Sequence, residues 1–130
     1  MPDNAIMLDT SVWVSIFRGH APELIAQCRN MLRRDRVVTC SPVMFELRRG
    51  LSRKNRKTVI PLLGAIPRIG MSEADWDAAG DLDASLRLQG ITIPPMDILI
   101  ARICLHHNVP LLTLDQHFQK IPKLELVSVQ

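Results

Sequence analysis

Three short, largely apolar runs constrain this chain more than any other feature, because each stops at a polar residue that can open a helix. Residues 5–8 stop at Asp9, residues 37–40 at Ser41-Pro42, and residues 109–114 at Asp115. Runs this short and this abruptly ended do not suit buried helices and read as buried strands. Between them lie helical patterns. Residues 10–17 are closed by Gly19, and residues 22–34 carry Leu24, Ile25, Cys28, Met31 and Leu32 on one face. Ser41 can cap free amides and Pro42 fits a first helical turn, so a further helix starts there, with Val43, Leu47 and Leu51 at four-residue spacing. Helices are also expected over residues 53–66, interrupted at Pro61, over 72–88 with Gly90 as the stop, and over 96–107 after Pro94-Pro95. Residues 68–70 and 124–129 read as further strands, the last at an edge. Strands alternating with helices imply parallel βαβ units. The expected fold is a single α/β domain over residues 1–130, a three-layer α/β/α sandwich with a mainly parallel central sheet.

Composition agrees with a folded domain. Of 130 residues, 47% are hydrophobic and 22% charged, which excludes a disordered chain. No apolar run approaches the ~18–20 residues of a membrane span, and Met1-Pro2-Asp3-Asn4 lacks the basic and apolar stretches of a signal peptide. A cytoplasmic protein with no membrane association is expected. Cys28, Cys40 and Cys104 are too few and too widely spaced for a disulfide framework or a zinc site, and read as small buried hydrophobes.

Charge is unevenly spread. Residues 29–57 hold ten Lys or Arg against two acids, Asp35 and Glu46, and the rest of the chain is net negative. Such a segment can attract a polyanion. In contrast, Glu73, Asp75, Asp77, Asp81 and Asp83 interleave with Ala74, Ala78, Ala79 and Leu82 and read as the solvated face of one helix.

In parallel α/β sheets, ligands bind at the carboxyl ends of the strands. The pattern places four carboxylates there. Asp9 ends the first strand and Asp115 follows the run 109–114. Glu46 lies one turn into the helix after the second strand, interrupting Val43-Met44-Phe45 and Leu47. Asp97 opens a helix that is apolar nearly all round (Ile98, Leu99, Ile100, Ala101, Ile103, Cys104, Leu105) and therefore buried. An aspartate is almost never fully buried unless paired. Each acid alone could be a cap or a turn residue. Gathered at one sheet edge, four like charges repel, and a divalent cation offsets that repulsion. Oxygen ligands suit magnesium or manganese. The histidines form no rival site: His106 and His107 are adjacent and so point to different helix faces, and His117 is expected at the surface, with a donor role to the site as the alternative.

Leu8-Asp9-Thr10-Ser11-Val12-Trp13, Glu46-Leu47 followed by Gly50, Asp97-Ile98-Leu99-Ile100-Ala101 and Thr113-Leu114-Asp115-Gln116-His117-Phe118 together resemble the PIN-domain ribonucleases, in particular the VapC toxins of type II toxin–antitoxin pairs. The likeness covers essentially the whole chain. One departure is His117, which stands where relatives often carry an acid. The resemblance implies a magnesium- or manganese-dependent endoribonuclease with Asp9, Glu46, Asp97 and Asp115 as metal-site and catalytic acids. Ser11 and Thr113 match hydroxyls that order the site. It further implies a homodimer, a small DNA-binding antitoxin whose C-terminal segment crosses the active-site groove, and tRNA or ribosomal RNA as substrate. Arg48, Arg49, Arg53 and Lys54, just beyond Glu46, are then expected to grip the RNA backbone. Two other readings stay open: a non-catalytic PIN-like interaction module, and a metal-dependent phosphohydrolase acting on another nucleic acid.

Overall fold

A computed structural model describes residues 1–129. The chain runs β1 (Ile6–Leu8), α1 (Thr10–Arg18), α2 (Pro22–Arg33), β2 (Val37–Val38), α3 (Ser41–Gly50), α4 (Arg53–Gly64), α5 (Glu73–Leu88), α6 (Pro95–His107), β3 (Leu111–Leu112) and a 3-10 turn, Gln116–Lys120. The sheet order is β2-β1-β3, and both pairings are parallel, with Met7 opposite Val38 on one side and Leu111 on the other. Every residue of the three strands is buried, so both sheet faces are covered, as an all-parallel sheet requires. On the helical side, α6 packs against α3 and α5, and α1 against α2 and α3. No helix among the described residues is long and apolar enough to cross a membrane.

The expected strands are present but shorter. Residues 68–70 and 124–129 each contribute a single parallel bridge, Arg68 to Thr39 and Leu126 to Leu111, not a strand. Their hydrogen bonds nevertheless extend the sheet on both sides: Ile69 N–H donates to the Thr39 carbonyl, and Val127 N–H to that of Leu111. Pro61 does not interrupt α4, which continues to Gly64. This helix is mostly exposed, with Leu63 its buried anchor, so the carbonyl that loses its partner to proline can be met by solvent. Gly19 closes α1 in the left-handed conformation (φ 68°), where its amide reaches the carbonyls of Ser15 and Ile16.

The core centres on the sheet. Met7, Leu8, Val38, Leu111 and Leu112 are covered by Val12, Val43, Ile100, Ile103 and Phe118, all with almost no exposure. Trp13 is core, and the three cysteines are free and buried, as expected. Burial pushes the thiol of Cys28 up to about 11. With β2 and β3 on opposite sides of β1, the chain changes direction between β1 and β3, and the crevice of the sheet opens at their carboxyl ends.

Candidate functional site

Asp9 leaves β1 and stands at the N-cap of α1, yet its side chain makes no cap hydrogen bond. Instead Oδ2 accepts from Ser11 Oγ at 2.7 Å and from Thr113 Oγ1 at 2.8 Å. Those hydroxyls accept in turn from backbone amides beyond β3: Leu114 N–H donates to Ser11 Oγ and Asp115 N–H to Thr113 Oγ1. Two hydroxyls thus lock the ends of β1 and β3 around one carboxylate oxygen. The other, Oδ1, is fully buried with no hydrogen-bond partner among the described residues. A polar oxygen buried without a partner is costly and needs an explanation.

Glu46, one turn into α3, accepts from Thr10 Oγ1 at 2.8 Å. Asp97 sits in the first turn of α6, 8% exposed. A helix N-terminus normally favours ionised aspartate. Here burial and then the Asp9 charge, with a smaller push from Glu46, raise the Asp97 carboxyl to about 6, against the opposing pull of His117. The Asp115 carboxyl is also raised, first by burial and then by Asp9. The four acids named from sequence therefore act on one another. Asp97, Asp115 and His117 can each offer a ligand atom within 4.8 Å of the others, a grouping able to hold a metal ion. A cavity of about 360 Å³ reaches Thr113 and Asp115 from one side, and another of about 340 Å³ reaches Glu46 between Phe17, Leu47 and Leu51.

Two expectations are corrected. His117 is not a surface residue turned to solvent: its Nε2 lies 2.7 Å from Asp97 Oδ2, inside the acidic group. Asp75 does not belong to the solvated face of α5. It is 2% exposed, closes a capping box with Ser72, and binds Arg102 Nε at 3.1 Å and His106 Nδ1. The rings of His106 and His107 stack at 4.6 Å, with His107 Nε2 on the Gly70 carbonyl. The two rings are thus in contact although adjacent helical positions start out on different faces.

Thr10 was not singled out, although a hydroxyl directly after Asp9 at the first position of α1 is the available signal. Arg48 and Arg49 in the last turn of α3, and Arg53 and Lys54 in the first turn of α4, are all exposed. Arg56 Nη1 donates to the Arg48 carbonyl, and the Arg49 guanidinium lies 5.8 Å from the centre of the Phe45 ring. A basic surface thus begins on the same helix as Glu46.

The PIN domain family matches residues 6–124, nearly the whole chain. The chain belongs to the PIN-domain family. Among its relatives are a VapC ribonuclease of Mycobacterium bovis and ribonuclease VapC11 of Mycobacterium tuberculosis, each 27% identical over 124 residues and covering 92% of both chains. This PIN domain superposes on VapBC2 from Rickettsia felis, solved bound to a DNA fragment from its promoter, with a TM-score of 0.82 and 25% identity over 95% of this chain and 97% of that one. VapBC from Salmonella typhimurium, also solved bound to DNA, gives a TM-score of 0.81 at 20% identity over 95% and 96%, a likeness of fold.

Proposed function

We propose that this PIN domain is a divalent-metal-dependent endoribonuclease, the toxin of a type II toxin–antitoxin pair, acting on tRNA or ribosomal RNA. The observation that carries the reading is Asp9 Oδ1, buried and unpartnered beside the Asp97 and Asp115 carboxyls, both raised first by burial and then by the Asp9 charge. The donor set fits a hard divalent cation: Asp9, Asp97 and Asp115 would hold it, with Glu46 at its margin, and magnesium or manganese suits these oxygens. Such an ion, when bound, neutralises the scissile phosphate and acidifies water.

The chain's own residues do the rest. Thr10 orients Glu46, which takes the proton of the attacking water. Ser11 and Thr113 hold Asp9 in one rotamer, so the site is organised before RNA arrives. In-line attack leaves a 5′-phosphate and a 3′-hydroxyl. Arg48, Arg49, Arg53 and Lys54 grip flanking phosphates, and this binding weakens with salt. The basic surface beside the acids favours a polyanionic substrate over a purely structural role for the fold. The VapBC complexes among the structural relatives support a DNA-binding antitoxin as partner. A homodimer working in the cytoplasm, where its RNA targets lie, completes the reading.

The test is incubation of the purified chain with total tRNA and ribosomal RNA in Mg²⁺, in Mn²⁺ and in EDTA, beside Asp97→Asn. Discrete fragments that need metal and are missing with the variant are expected. Cleavage that persists in EDTA, or undiminished cleavage by Asp97→Asn, contradicts the reading.

A further inference from the structure

We infer that His117 is a nitrogen ligand of the divalent cation and tunes the site toward manganese over magnesium. The inference rests on the reading that the acidic group binds a divalent cation, and deepens it. His117 Nε2 points into the group, 2.7 Å from Asp97 Oδ2, with its side chain 29% exposed. One of its ring nitrogens belongs with one oxygen each of Asp97 and Asp115 in a set whose members all lie within 4.8 Å of one another. Ligands bound at ~2.0–2.2 Å stand roughly 3 Å apart when adjacent and roughly 4.3 Å apart when opposite, so the set needs little rearrangement to close on one ion.

The imidazole is also well anchored. It packs at 4.8 Å against the ring of Phe118, which is fully buried. His117 and Asp115 lie two residues apart, with Asp115 immediately before the 3-10 turn that carries the histidine and its side chain making no cap hydrogen bond, and this short turn brings both into the same group. Asp9 Oδ1, buried and without a hydrogen-bond partner among the described residues, is an independent sign that the group is built to receive a cation. In the structure His117 Nε2 is hydrogen-bonded to Asp97 Oδ2. With a cation present the same nitrogen has a better partner.

The consequence is selectivity. Magnesium keeps to an oxygen and water shell, whereas manganese, a first-row transition ion, also takes oxygen ligands but tolerates an imidazole nitrogen better than magnesium does. The full chain should bind Mn²⁺ at least about tenfold more tightly than Mg²⁺, and His117→Asp should cut that ratio about tenfold by restoring an oxygen donor. Calorimetry with MnCl₂ and MgCl₂ reads the ratio, and pulsed electron paramagnetic resonance of the Mn²⁺-loaded chain reads a directly bound ¹⁴N. The nitrogen signal is expected in the parent and absent from both His117→Asp and His117→Asn, with melting curves showing that the variants fold. Mn²⁺ bound without a nitrogen signal, or a signal that survives in the variants, overturns the ligand assignment and leaves the acidic site standing. No Mn²⁺ binding to the parent overturns both.

Discussion

Asp97 and Asp75 are both buried aspartates near the N-terminal ends of packed helices, 8% and 2% exposed, yet their surroundings push them in opposite directions. Asp75 receives the Ser72 amide and hydroxyl, His106 and Arg102. That company holds its carboxyl well below the usual carboxylate range, led by the backbone hydrogen bond. Among the described residues Asp97 has one side-chain hydrogen-bond partner, His117, and two other carboxylates acting on it. The first arrangement satisfies its charge and ties α5 to α6. The second leaves charge in excess, which packing alone does not require. Burial of an acid therefore says little about its purpose; how fully its charge is answered by neighbours separates a structural carboxylate from one kept for a ligand.

The largest effect should come from exchanging the two sites' fates. Asp97→Asn should lower RNA cleavage about a thousandfold or more while raising the stability of the metal-free chain by about 1 kcal/mol, because it removes a repelling charge. Asp75→Asn should do the reverse, leaving the cleavage rate of folded protein intact and lowering Tm by roughly 5–10 °C through loss of the cap and the Arg102 pair. Parallel cleavage assays and melting curves would show whether the phenotypes separate. Glu46→Gln should cost about 10²–10⁴-fold in rate with an unchanged melting curve, as expected for loss of a proton acceptor.

A smaller effect lies in pH. The folded Asp97 carboxyl, raised from 3.8 to about 6, binds its proton more tightly than in the unfolded chain. Its contribution to stability is fully present below 3.8 and is lost as pH rises through about 6. Asp75 is the opposite case: its contribution is present above 3.8 and is lost as pH falls through the lowered value. Urea unfolding in EDTA should show the stability gap between Asp97→Asn and the parent narrowing from about pH 7 to about pH 5; a constant gap would refute the shift. The smallest effect belongs to a third kind of acid. Asp83 pairs with Arg87 at 3.0 Å on the surface of α5, and Asp83→Ala should change stability by less than about 0.5 kcal/mol in the same unfolding experiment.

These differences were unequally legible in the sequence. Glu46 and Asp97 stand out because each breaks an apolar run, and Asp9 and Asp115 because each ends one. The parallel sheet followed from the same punctuation. The edge segments 68–70 and 124–129 were legible as parts of the sheet but not in their extent, since how much of an edge pairs depends on tertiary register more than on local pattern. Asp75 looks like its neighbours Glu73 and Asp77 because all three sit in one acid-rich run. Helical spacing puts it with Ala79, Leu82 and Leu86, four, seven and eleven residues on, a face that is buried or half-buried. Its partners, Arg102 and His106, lie one turn apart on a distant helix and carry no local sign of the pairing. His117 was hidden for a similar reason: only the 3-10 turn after Asp115 aims it at Asp97.

If the Asp9–Asp97–Asp115 group holds its excess charge for a cation, thermal unfolding with and without MnCl₂ will show it. At about 100 times the dissociation constant, Mn²⁺ should stabilise the parent chain by about 2.7 kcal/mol, seen as a clear rise in Tm, leave Asp97→Asn nearly unmoved, and raise Asp75→Asn as much as the parent. An unchanged Tm in the parent, or an equal rise in Asp97→Asn, would contradict it.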